Sequence, residues 1–527
     1  MHLFLVGPPG IGKSTVAPLL AELLGAAAVD LDTEIARRAG KACDRIIGED
    51  GMPRFRALES EALDRLTASH GLVIVATGGG APLAEANRRR MGVLGLRVGL
   101  TGSVATVARG LALTLGARGH LDVPPREHAT RVLRERRAVY ADVEASFATD
   151  RIPPPDVARA VAAWLVAARG LRLDVPGPRP YPILVRAGLL EHVGTHLADL
   201  GWEGRVAIVG DTLTARRLAP TVAASCRAAG LATTTIAVAR GERAKSIGAL
   251  ERLWRGLSRA GIGRDGAIIA VGGGTVGDLT GFAAATYLRG VRYAQVPTTL
   301  LAMVDSSIGG KTGIDLAAGK NLAGAFWPPD AVLADPAVLG GLPRRQRSSG
   351  LAEVVKSAFL SDRQAVAQIE RSVVRVLDGD LGPTVAAIGL AASLKSRIVG
   401  QDEREAGVRE LLNFGHTFGH AYEAASGYRA THGEAVSIGM VFATALAEDL
   451  DLVPRALRER LEGILGAAGL PVRARIPAGA MRYLAADKKV RGGTVRWILP
   501  RAIGRFSEVT DVSRASLAAA MRVVEGR

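Results

Sequence analysis

The sequence predicts an α/β protein in two parts, in which two parallel sheets are followed by a helical C-terminal region. Short apolar runs alternate with amphipathic stretches up to residue 168 and again from about residue 180 to 335, as in parallel sheets covered by helices. From about residue 345 the apolar residues follow the 3.6-residue period of helices, as in Glu434–Leu450. We therefore predict domains over residues 1–168, 180–335 and 336–527, with a proline- and glycine-rich linker over 169–183.

Composition limits the classes of protein to consider. Of the 527 residues, 48% are hydrophobic and 22% are charged, which suits several well-packed domains. No uncharged apolar run is long enough for a membrane span, so we expect no membrane partner. The two cysteines, Cys43 and Cys226, are too few for a disulfide framework and fit a reducing cytoplasm. The net charge of +16 has three possible sources: nucleic-acid binding, which the absence of a continuous basic run disfavours, small anionic substrates, and a coding bias toward arginine, to which we attribute most of the excess.

The first motif runs from Gly7 to Thr15 and fits the phosphate-loop pattern GxxGxGK[ST]. It follows the apolar strand Leu3–Val6 and precedes an amphipathic helix, which is the context that the pattern requires. Glycines let backbone N–H groups approach phosphate oxygens, the lysine reaches the terminal phosphates, and the hydroxyl ligates Mg²⁺. This predicts a nucleoside triphosphate and Mg²⁺ held by Gly10, Ile11, Gly12, Lys13, Ser14 and Thr15.

Four further features of the first part accompany the loop. Asp30-Leu31-Asp32 ends one predicted strand, and the triplet Gly78-Gly79-Gly80 follows another. Arg56 lies one helical turn before Glu59, and Arg136 precedes Tyr140. Taken singly, these features also suit a solvated strand end or a surface helix. Together, and in this order, they resemble shikimate kinase over the whole of residues 1–168.

The resemblance implies ATP-dependent phosphorylation of shikimate. It implies that Asp30 assists Mg²⁺ through water and that Asp32 orients the attacking hydroxyl and accepts its proton. It also implies that Asp32, Arg56, Gly79 and Arg136 bind shikimate, the arginines through its carboxylate. Arg118 would reach ATP from the lid. The lid sequence here, Arg118-Gly119-His120-Leu121, departs from the family pattern Arg-Pro-Leu-Leu.

A histidine cluster is the strongest signal in the second part. His416 and His420 are one helical turn apart, His432 follows, and Glu353 precedes them on another predicted helix. Two imidazoles and one carboxylate with open positions are typical of catalytic zinc. Spacing alone nominates His416 and His420 together as ligands.

Glycines and lysines complete the second part. The segment from Gly272 to Asp278 satisfies GxGxxG, but Pro297-Thr298-Thr299 ends the next strand where an ordinary dinucleotide fold has an acidic residue. A dinucleotide, if present, is therefore bound in another way. Arginine outnumbers lysine by 58 to nine, so each lysine suggests a position that needs a compact ammonium. Lysines and arginines around a metal predict a substrate with several anionic groups.

This set resembles 3-dehydroquinate synthase from about residue 180 to the C-terminus, most specifically in residues 271–329 and in Leu411–His420. The resemblance implies zinc (or cobalt) on Glu353, His416 and His432, with His420 in proton transfer and Lys311 and Glu405 as further catalytic residues. It implies that NAD⁺ contacts Glu242, Lys245, Gly273, Gly274, Asp278, Thr298, Thr299 and Lys320. It implies that the substrate, a phosphorylated seven-carbon keto acid, contacts Arg289, Asp305, Lys311, Asn321, Lys356, Lys395, Arg409 and Asn413, with Lys488 or Lys489 closing over it.

The two resemblances imply a fused enzyme of aromatic amino acid (shikimate pathway) biosynthesis, which acts as a homodimer through its synthase part. The synthase reaction would oxidise the substrate transiently with NAD⁺, release phosphate, return the hydride and close the ring. Three rivals stay open. In the first alternative, the synthase part is a related sugar-phosphate cyclase. In the second, the kinase part is a structural or regulatory module. In the third, the basic chain binds nucleic acid with a steep dependence on salt concentration.

Overall fold

The computed structural model divides the chain into two compact units, Met1–Leu165 and Val166–Arg527. It describes residues 1–66, 71–118, 123–317, 319–427, 429–477, 479–480 and 495–527, and for residues 114–118 it describes the backbone alone. The two α/β regions and the helical C-terminal region that the sequence predicts are present, and the fold class is confirmed.

The first unit is built on a five-stranded, fully parallel sheet of order β2-β3-β1-β4-β5. Its central strand β1 is buried at every residue, which explains the unbroken apolar run at the start of the sequence. The strands are β1 His2–Val6, β2 Ala27–Asp30, β3 Val73–Ala76, β4 Gly95–Thr101 and β5 Ala145–Ala148. The helices are α1 Lys13–Leu24, α2 Leu31–Ala39, α3 Cys43–Arg65, α4 Glu85–Leu94, α5 Val104–Arg118, α6 Pro125–Glu135, α7 Arg137–Ala141 and α8 Pro154–Ala163.

The second unit contains a seven-stranded sheet of order β6-β7-β14-β11-β10-β8-β9, parallel except for the edge pair β6 and β7. Alternate residues of the interior strand Ala267–Gly272 enter different cores: Ile269 and Val271 pack on one face, and Ile268 and Ala270 on the other. The strands of this sheet are β6 Leu171–Val175, β7 Tyr181–Val185, β8 Arg205–Asp211, β9 Ala232–Val238, β10 Ala267–Gly272, β11 Arg292–Pro297 and β14 Val332–Ala334.

Two antiparallel hairpins and a helical layer complete the second unit. The hairpins are β12 Lys311–Leu316 with β13 Gly319–Phe326, and β15 Trp497–Ala502 with β16 Arg505–Val509. The helices are α9 Val193–Asp199, α10 Thr214–Arg217, α11 Ala219–Ala228, α12 Ile247–Arg259, α13 Gly274–Thr286, α14 Arg344–Ser361, α15 Arg363–Asp378, α16 Leu381–Gln401, α17 His416–Ala425, α18 His432–Asp449, α19 Arg455–Ala467 and a final helix Arg514–Glu525. The pair β15–β16 lies in a region predicted as helical.

The stretch 169–183 differs from the predicted linker. Strand β6 pairs with β7 in register from Leu171↔Val185 to Val175↔Tyr181, so most of this stretch is an edge hairpin of the second sheet. The physical reason is the alternation of Leu171, Leu173 and Val175 with polar residues, which buries one side of the strand. The prolines and glycines that led to the linker prediction occupy the turn between the two strands.

In the part of the chain that the structure describes, no helix is both long and apolar enough to cross a membrane.

Candidate active sites

The glycine-rich loop connects the central strand β1 to helix α1. Gly12 caps the helix with a φ of 99°, and Gly10 has a φ of 79°, so both positions use the left-handed backbone that glycine tolerates. The ammonium of Lys13 is buried and donates to the carbonyls of Gly7 and Pro8, both at 2.8 Å. The cation therefore lies over the loop, at the helix N-terminus that would receive phosphate oxygens.

Ser14 and Asp30 are the residues predicted to ligate or assist a phosphate-bound Mg²⁺ ion. Ser14 is exposed in the first turn of α1, and Asp30 ends the edge strand β2, which β3 separates from β1. Asp30 also caps α2, because its Oδ1 accepts a hydrogen bond from the backbone N–H of Thr33 at 3.0 Å. Both oxygens are hard ligands, and together with the loop they fit a nucleoside triphosphate with Mg²⁺.

Side chains from several elements of the first unit approach the triple-glycine turn after β3 closely. A Cβ atom at Gly80 would lie 2.0 Å from the guanidinium of Arg56, and one at Gly78 would lie 2.8 Å from Oδ1 of Asp32. Arg136 donates to the carbonyl of Gly79 at 3.2 Å. The structure thus brings together Asp32, Arg56, Gly79 and Arg136, four residues that are far apart in the sequence.

Two residues of this cluster were missed as site residues. Glu59 is 1% exposed and pairs with Arg56, and Tyr140 donates to the carbonyl of Gly79 at 2.6 Å. Burial raises the pKa of the Glu59 carboxyl, and the Arg56 guanidinium opposes that rise. The spacing of Arg56 and Glu59 indicates a helix pair, but only the approach of α3 to the glycine turn shows that Glu59 is buried.

We predict that Glu59→Gln raises the KM for shikimate by roughly tenfold or more, because the partner that fixes Arg56 loses its charge. The measurement is the initial rate against shikimate concentration at saturating ATP. Glu61→Gln is the matched control, since Glu61 is exposed and its ion pairs with Arg54 and Arg65 are superficial. An unchanged KM in Glu59→Gln would contradict the role of the pair.

In the second unit, Glu353, His416 and His432 form a compact cluster. Each offers one ligand atom, and these atoms lie within 4.8 Å of one another. Glu353 Oε1 is 3.4 Å from His416 Nε2 and 3.3 Å from His432 Nε2. Glu353 comes from the middle of α14, whereas the histidines begin α17 and α18, so three helices supply one ligand each. Two nitrogens and one carboxylate are a donor set that fits zinc or cobalt.

Burial and charge prepare these three side chains differently. Burial, followed by the charge of Lys356, lowers the pKa of His416 to about 4, which leaves a neutral imidazole with a free lone pair. Burial also acts against protonation of His432, but the carboxylates of Glu353 and Glu423 outweigh it and raise that pKa to about 9. Burial alone would raise the pKa of Glu353, but Lys356 and His416 hold it well below its usual range.

His420 lies beside the cluster without belonging to it. Its ring centroid is 5.3 Å from that of His416 and 6.1 Å from that of His432. The spacing-based nomination of His416 with His420 as joint ligands is therefore not the arrangement of the structure, in which His432 closes the triad. One helical turn places two side chains on one face, but it does not make their ligand atoms converge.

Cationic side chains surround the metal cluster. Lys356 forms a fully buried ion pair with Glu353, and Lys395 donates to Asp305 at 2.5 Å and is 8% exposed. Lys311 pairs with Glu405, whose other oxygen accepts from Asn413 at 3.2 Å. The neighbouring Arg409 is 1% exposed. These groups fit a polyanionic ligand.

The predicted dinucleotide residues converge at the carboxyl ends of β10 and β11. The turn Gly273–Gly274 begins α13, and the backbone N–H of Thr298 donates to the carbonyl of Gly272 at 2.9 Å. A Cβ at Gly273 would lie 3.1 Å from Thr299, and one at Gly274 would lie 2.8 Å from Ser306 Oγ, so a side chain there would fill the cradle.

Polar side chains border this cradle. Lys245 pairs with Asp278 at 2.8 Å and with the side chain of Asn321, and Lys320 lies 3.4 Å from Glu242. Burial raises the pKa of Asp278 to about 6, and Lys245 opposes the rise. The cradle and its hydrogen-bonding groups fit NAD⁺.

Some of the predicted site residues are not placed beside the others by the structure. Arg289 is exposed, in a short turn with a φ of 67°, and the described residues give it no ion pair with the cluster. Lys488, Lys489, residues 119–121 of the lid and the side chain of Arg118 lie outside the described residues.

Tyr181, which the sequence did not single out, supports the cationic cluster. Its buried hydroxyl accepts a hydrogen bond from the backbone N–H of Gly309 at 2.9 Å, and Arg409 donates to the carbonyl of Gly309 at 3.0 Å. Burial raises the pKa of Tyr181 to about 12. Gly309 and Gly310 both have positive φ, at 101° and 64°, and precede Lys311, so the hairpin β6–β7 helps to hold this turn.

We predict that Tyr181→Phe lowers the free energy of unfolding by about 1–3 kcal/mol, because the buried N–H of Gly309 loses its acceptor. Denaturant titration followed by tryptophan fluorescence measures it. Tyr293→Phe is the matched control: it removes a buried hydroxyl whose hydrogen bond, at 3.3 Å, comes from the side chain of Gln295. A smaller loss in Tyr181→Phe than in Tyr293→Phe would contradict the prediction.

The two sites define a class of protein: a phosphate-loop kinase unit joined to a unit with a dinucleotide cradle and a three-ligand metal site. The protein-family model described as "Shikimate kinase" matches residues 9–166. The family models described as "3-dehydroquinate synthase N-terminal" and "3-dehydroquinate synthase C-terminal" match residues 235–349 and 350–490, respectively.

Individual proteins agree with these matches. A 3-dehydroquinate synthase of Rhodopirellula baltica is 42% identical over 355 residues, which are 66% of this chain and 95% of that protein. A 2-epi-5-epi-valiolone synthase from Streptomyces hygroscopicus with NAD⁺ and Zn²⁺ bound is 29% identical, with a TM-score of 0.61 over 66% of this chain and 97% of that one. A 2-deoxy-scyllo-inosose synthase complexed with carbaglucose-6-phosphate, NAD⁺ and Co²⁺ is 26% identical, with a TM-score of 0.61 over 67% of this chain and 100% of that one. The chain belongs to the 3-dehydroquinate synthase family and carries a shikimate kinase domain in its first unit.

Proposed function

We propose that this chain catalyses two reactions of aromatic amino acid biosynthesis at separate sites. The first unit phosphorylates shikimate with ATP, and the second converts 3-deoxy-arabino-heptulosonate 7-phosphate into 3-dehydroquinate and phosphate. The observation that supports the proposal most is that the first unit brings Asp32, Arg56, Gly79 and Arg136 together beside its phosphate loop, whereas the second unit holds a three-residue metal cluster and a glycine cradle.

In the kinase site, we assign binding and positioning to separate groups. The loop amides and Lys13 hold the phosphates, while Ser14 and Asp30 hold the Mg²⁺ ion that neutralises them. Arg56 and Arg136 hold the carboxylate of shikimate. Asp32 then orients the hydroxyl toward the γ-phosphate and receives its proton.

In the synthase site, NAD⁺ when bound accepts and returns a hydride, and the metal when bound polarises substrate hydroxyls. The chain's own residues do the rest. Arg409, Lys356, Lys395 and Asn413 hold the carboxylate and phosphate of the substrate in one pose, which keeps the reacting atoms aligned. His420, beside the metal cluster, moves protons, and the Lys311–Glu405 pair borders the same space.

A substrate panel tests the synthase assignment against the related cyclases. Purified protein with NAD⁺ and Zn²⁺ is supplied in turn with the heptulosonate 7-phosphate, a heptulose 7-phosphate without carboxylate and glucose 6-phosphate, and phosphate release is followed. We expect turnover of the carboxylate-bearing substrate, because the guanidinium of Arg409, assigned to hold the substrate's anionic groups, matches a carboxylate. Preferential turnover of either neutral-ended sugar phosphate would assign a different cyclase reaction.

We further propose a homodimer formed through the synthase part, in the cytoplasm. Supporting the dimer, the apolar side chains of Leu288, Leu316, Leu322 and Phe326 are exposed on and near the hairpin β12–β13. Supporting the location, Cys43 and Cys226 are both free thiols. Light scattering on the purified chain tests the dimer, and a monomer at micromolar concentration would contradict it.

A further inference from the structure

One carboxylate, that of Glu423, links the metal cluster to the dinucleotide cradle. Glu423 lies on α17, and its side chain is 13% exposed. Its Oε1 accepts a hydrogen bond from Lys320 Nζ at 3.0 Å, and its Oε2 lies 3.9 Å from His432 Nδ1. The two oxygens of one carboxylate therefore face a metal-binding histidine and a dinucleotide-binding lysine.

The two histidines of the cluster differ in what holds the nitrogen that faces away from the metal. His416 Nδ1 is 3.1 Å from the backbone carbonyl of Phe414, a fixed acceptor. His432 Nδ1 instead faces the carboxylate of Glu423. A carboxylate on the outer nitrogen of a metal-binding histidine fixes the ring and makes its inner nitrogen more basic. At 3.9 Å the Glu423 carboxylate lies within ion-pair range of His432 Nδ1 and beyond hydrogen-bond length, so it acts on the ring through its charge. The same side chain has a second partner of its own.

That second partner belongs to the cradle. Lys320 lies on β13 and contacts Glu242 at 3.4 Å as well as Glu423. Glu242 in turn accepts a hydrogen bond from Thr275 at 3.5 Å, in the first turn of α13 after the glycine turn. A continuous set of contacts thus runs from Glu353 through His432, Glu423 and Lys320 to Glu242.

We propose that Glu423 is a positioning residue that couples metal binding to NAD⁺ binding. The inference rests on the proposed function, in which Glu353, His416 and His432 hold the metal and Lys320 contacts NAD⁺. A bound metal fixes the His432 ring, the ring fixes the carboxylate, and the carboxylate restricts the flexible side chain of Lys320 before NAD⁺ arrives. Metal therefore tightens NAD⁺ binding, and NAD⁺ tightens metal binding by the same factor.

The test compares the wild-type chain with Glu423→Gln, which keeps the shape and removes the charge. Zn²⁺ affinity is measured by competition with a chromophoric chelator, and NAD⁺ affinity by calorimetry with and without saturating Zn²⁺. In wild type we expect Zn²⁺ to lower the Kd for NAD⁺ by about fivefold or more. In Glu423→Gln we expect Zn²⁺ affinity to fall about 10–100-fold, and the effect of Zn²⁺ on the Kd for NAD⁺ to shrink below about twofold.

Glu242→Gln is the matched control, because it removes the other carboxylate from Lys320 without touching His432. It should weaken NAD⁺ binding and leave Zn²⁺ affinity within about twofold of wild type. Circular dichroism and the melting temperature of the zinc-free proteins check that both variants are folded. Wild-type coupling in Glu423→Gln, or equal loss of Zn²⁺ affinity in both variants, would overturn the proposal. Failure of the wild-type chain to bind Zn²⁺ or NAD⁺ would instead contradict the proposed function.

Discussion

Lys13→Met is expected to lower ATP-dependent phosphorylation of shikimate by about 100-fold or more, because the ammonium that would stabilise charge on the terminal phosphates is removed. Methionine keeps much of the length of the side chain, so the loop should keep its shape. Turnover of the heptulosonate phosphate should stay at the wild-type rate, since the synthase residues lie in the other compact unit. Both rates are measured on the same preparation of the variant.

Lys41→Met is the control for this variant. Lys41 lies in the same unit, and its ammonium contacts the side chains of Glu49 and Asp50 at the surface. Its loss should leave both rates unchanged, because surface ion pairs contribute little. If folded Lys13→Met lost both activities, the two units would depend on each other and the account of independent sites would be wrong.

His432→Ala and His416→Ala are each expected to lose bound zinc and, with it, synthase turnover, because each removes one of the three proposed protein ligands. His420→Ala should retain most of its zinc and still lose turnover by about 100-fold or more, the effect expected of a proton-transfer residue. Metal analysis of the purified variants, beside their initial rates, separates the two roles.

These three variants also carry their own control, because all retain the kinase unit. Shikimate phosphorylation should be at the wild-type rate in each, which shows that the kinase unit is intact and that the loss is confined to the synthase unit. A zinc-free His420→Ala that regains full activity with excess zinc would reverse the assignment. The same conclusion would follow if His432→Ala bound zinc as tightly as wild type.

Local patterns in the sequence predicted the fold and the loop well. The phosphate loop needs only a strand, a glycine turn and a helix that follow one another in the chain, and β1 and α1 are found as predicted. The apolar stretches within 205–209 and 267–271 likewise predict strands, and the structure has strands Arg205–Asp211 and Ala267–Gly272 there, because an interior parallel strand is buried on both faces.

What the residue pattern could not predict depends on distances between separate elements. Periodicity correctly places His416 and His420 on one helix, but His432 becomes a metal-site residue only because the start of α18 packs against α14 and α17. Glu59 and Tyr140 are ordinary in the sequence and become parts of a site only beside the glycine turn. The family resemblance predicted the triad of Glu353, His416 and His432, which residue spacing did not. Neither the resemblance nor the spacing singled out Glu423.

The edge strand β6 shows a different limit. Prolines and glycines at 176–180 suggested a linker, whereas the alternation of Leu171, Leu173 and Val175 was only five residues long. Such a short pattern forms a strand because it pairs with β7. Tyr181 of β7 also accepts a hydrogen bond from the backbone N–H of Gly309. Composition alone therefore placed the boundary too late in the chain.

The most direct test of the central claim, that one chain holds two working active sites, is to assay both reactions across the fractions of one purification. The account predicts shikimate phosphorylation that needs ATP and Mg²⁺, and heptulosonate phosphate cyclisation that needs NAD⁺ and a divalent metal, at a constant ratio in every fraction. A sample that cyclises the heptulosonate phosphate at full rate but leaves shikimate unphosphorylated at saturating ATP would contradict it.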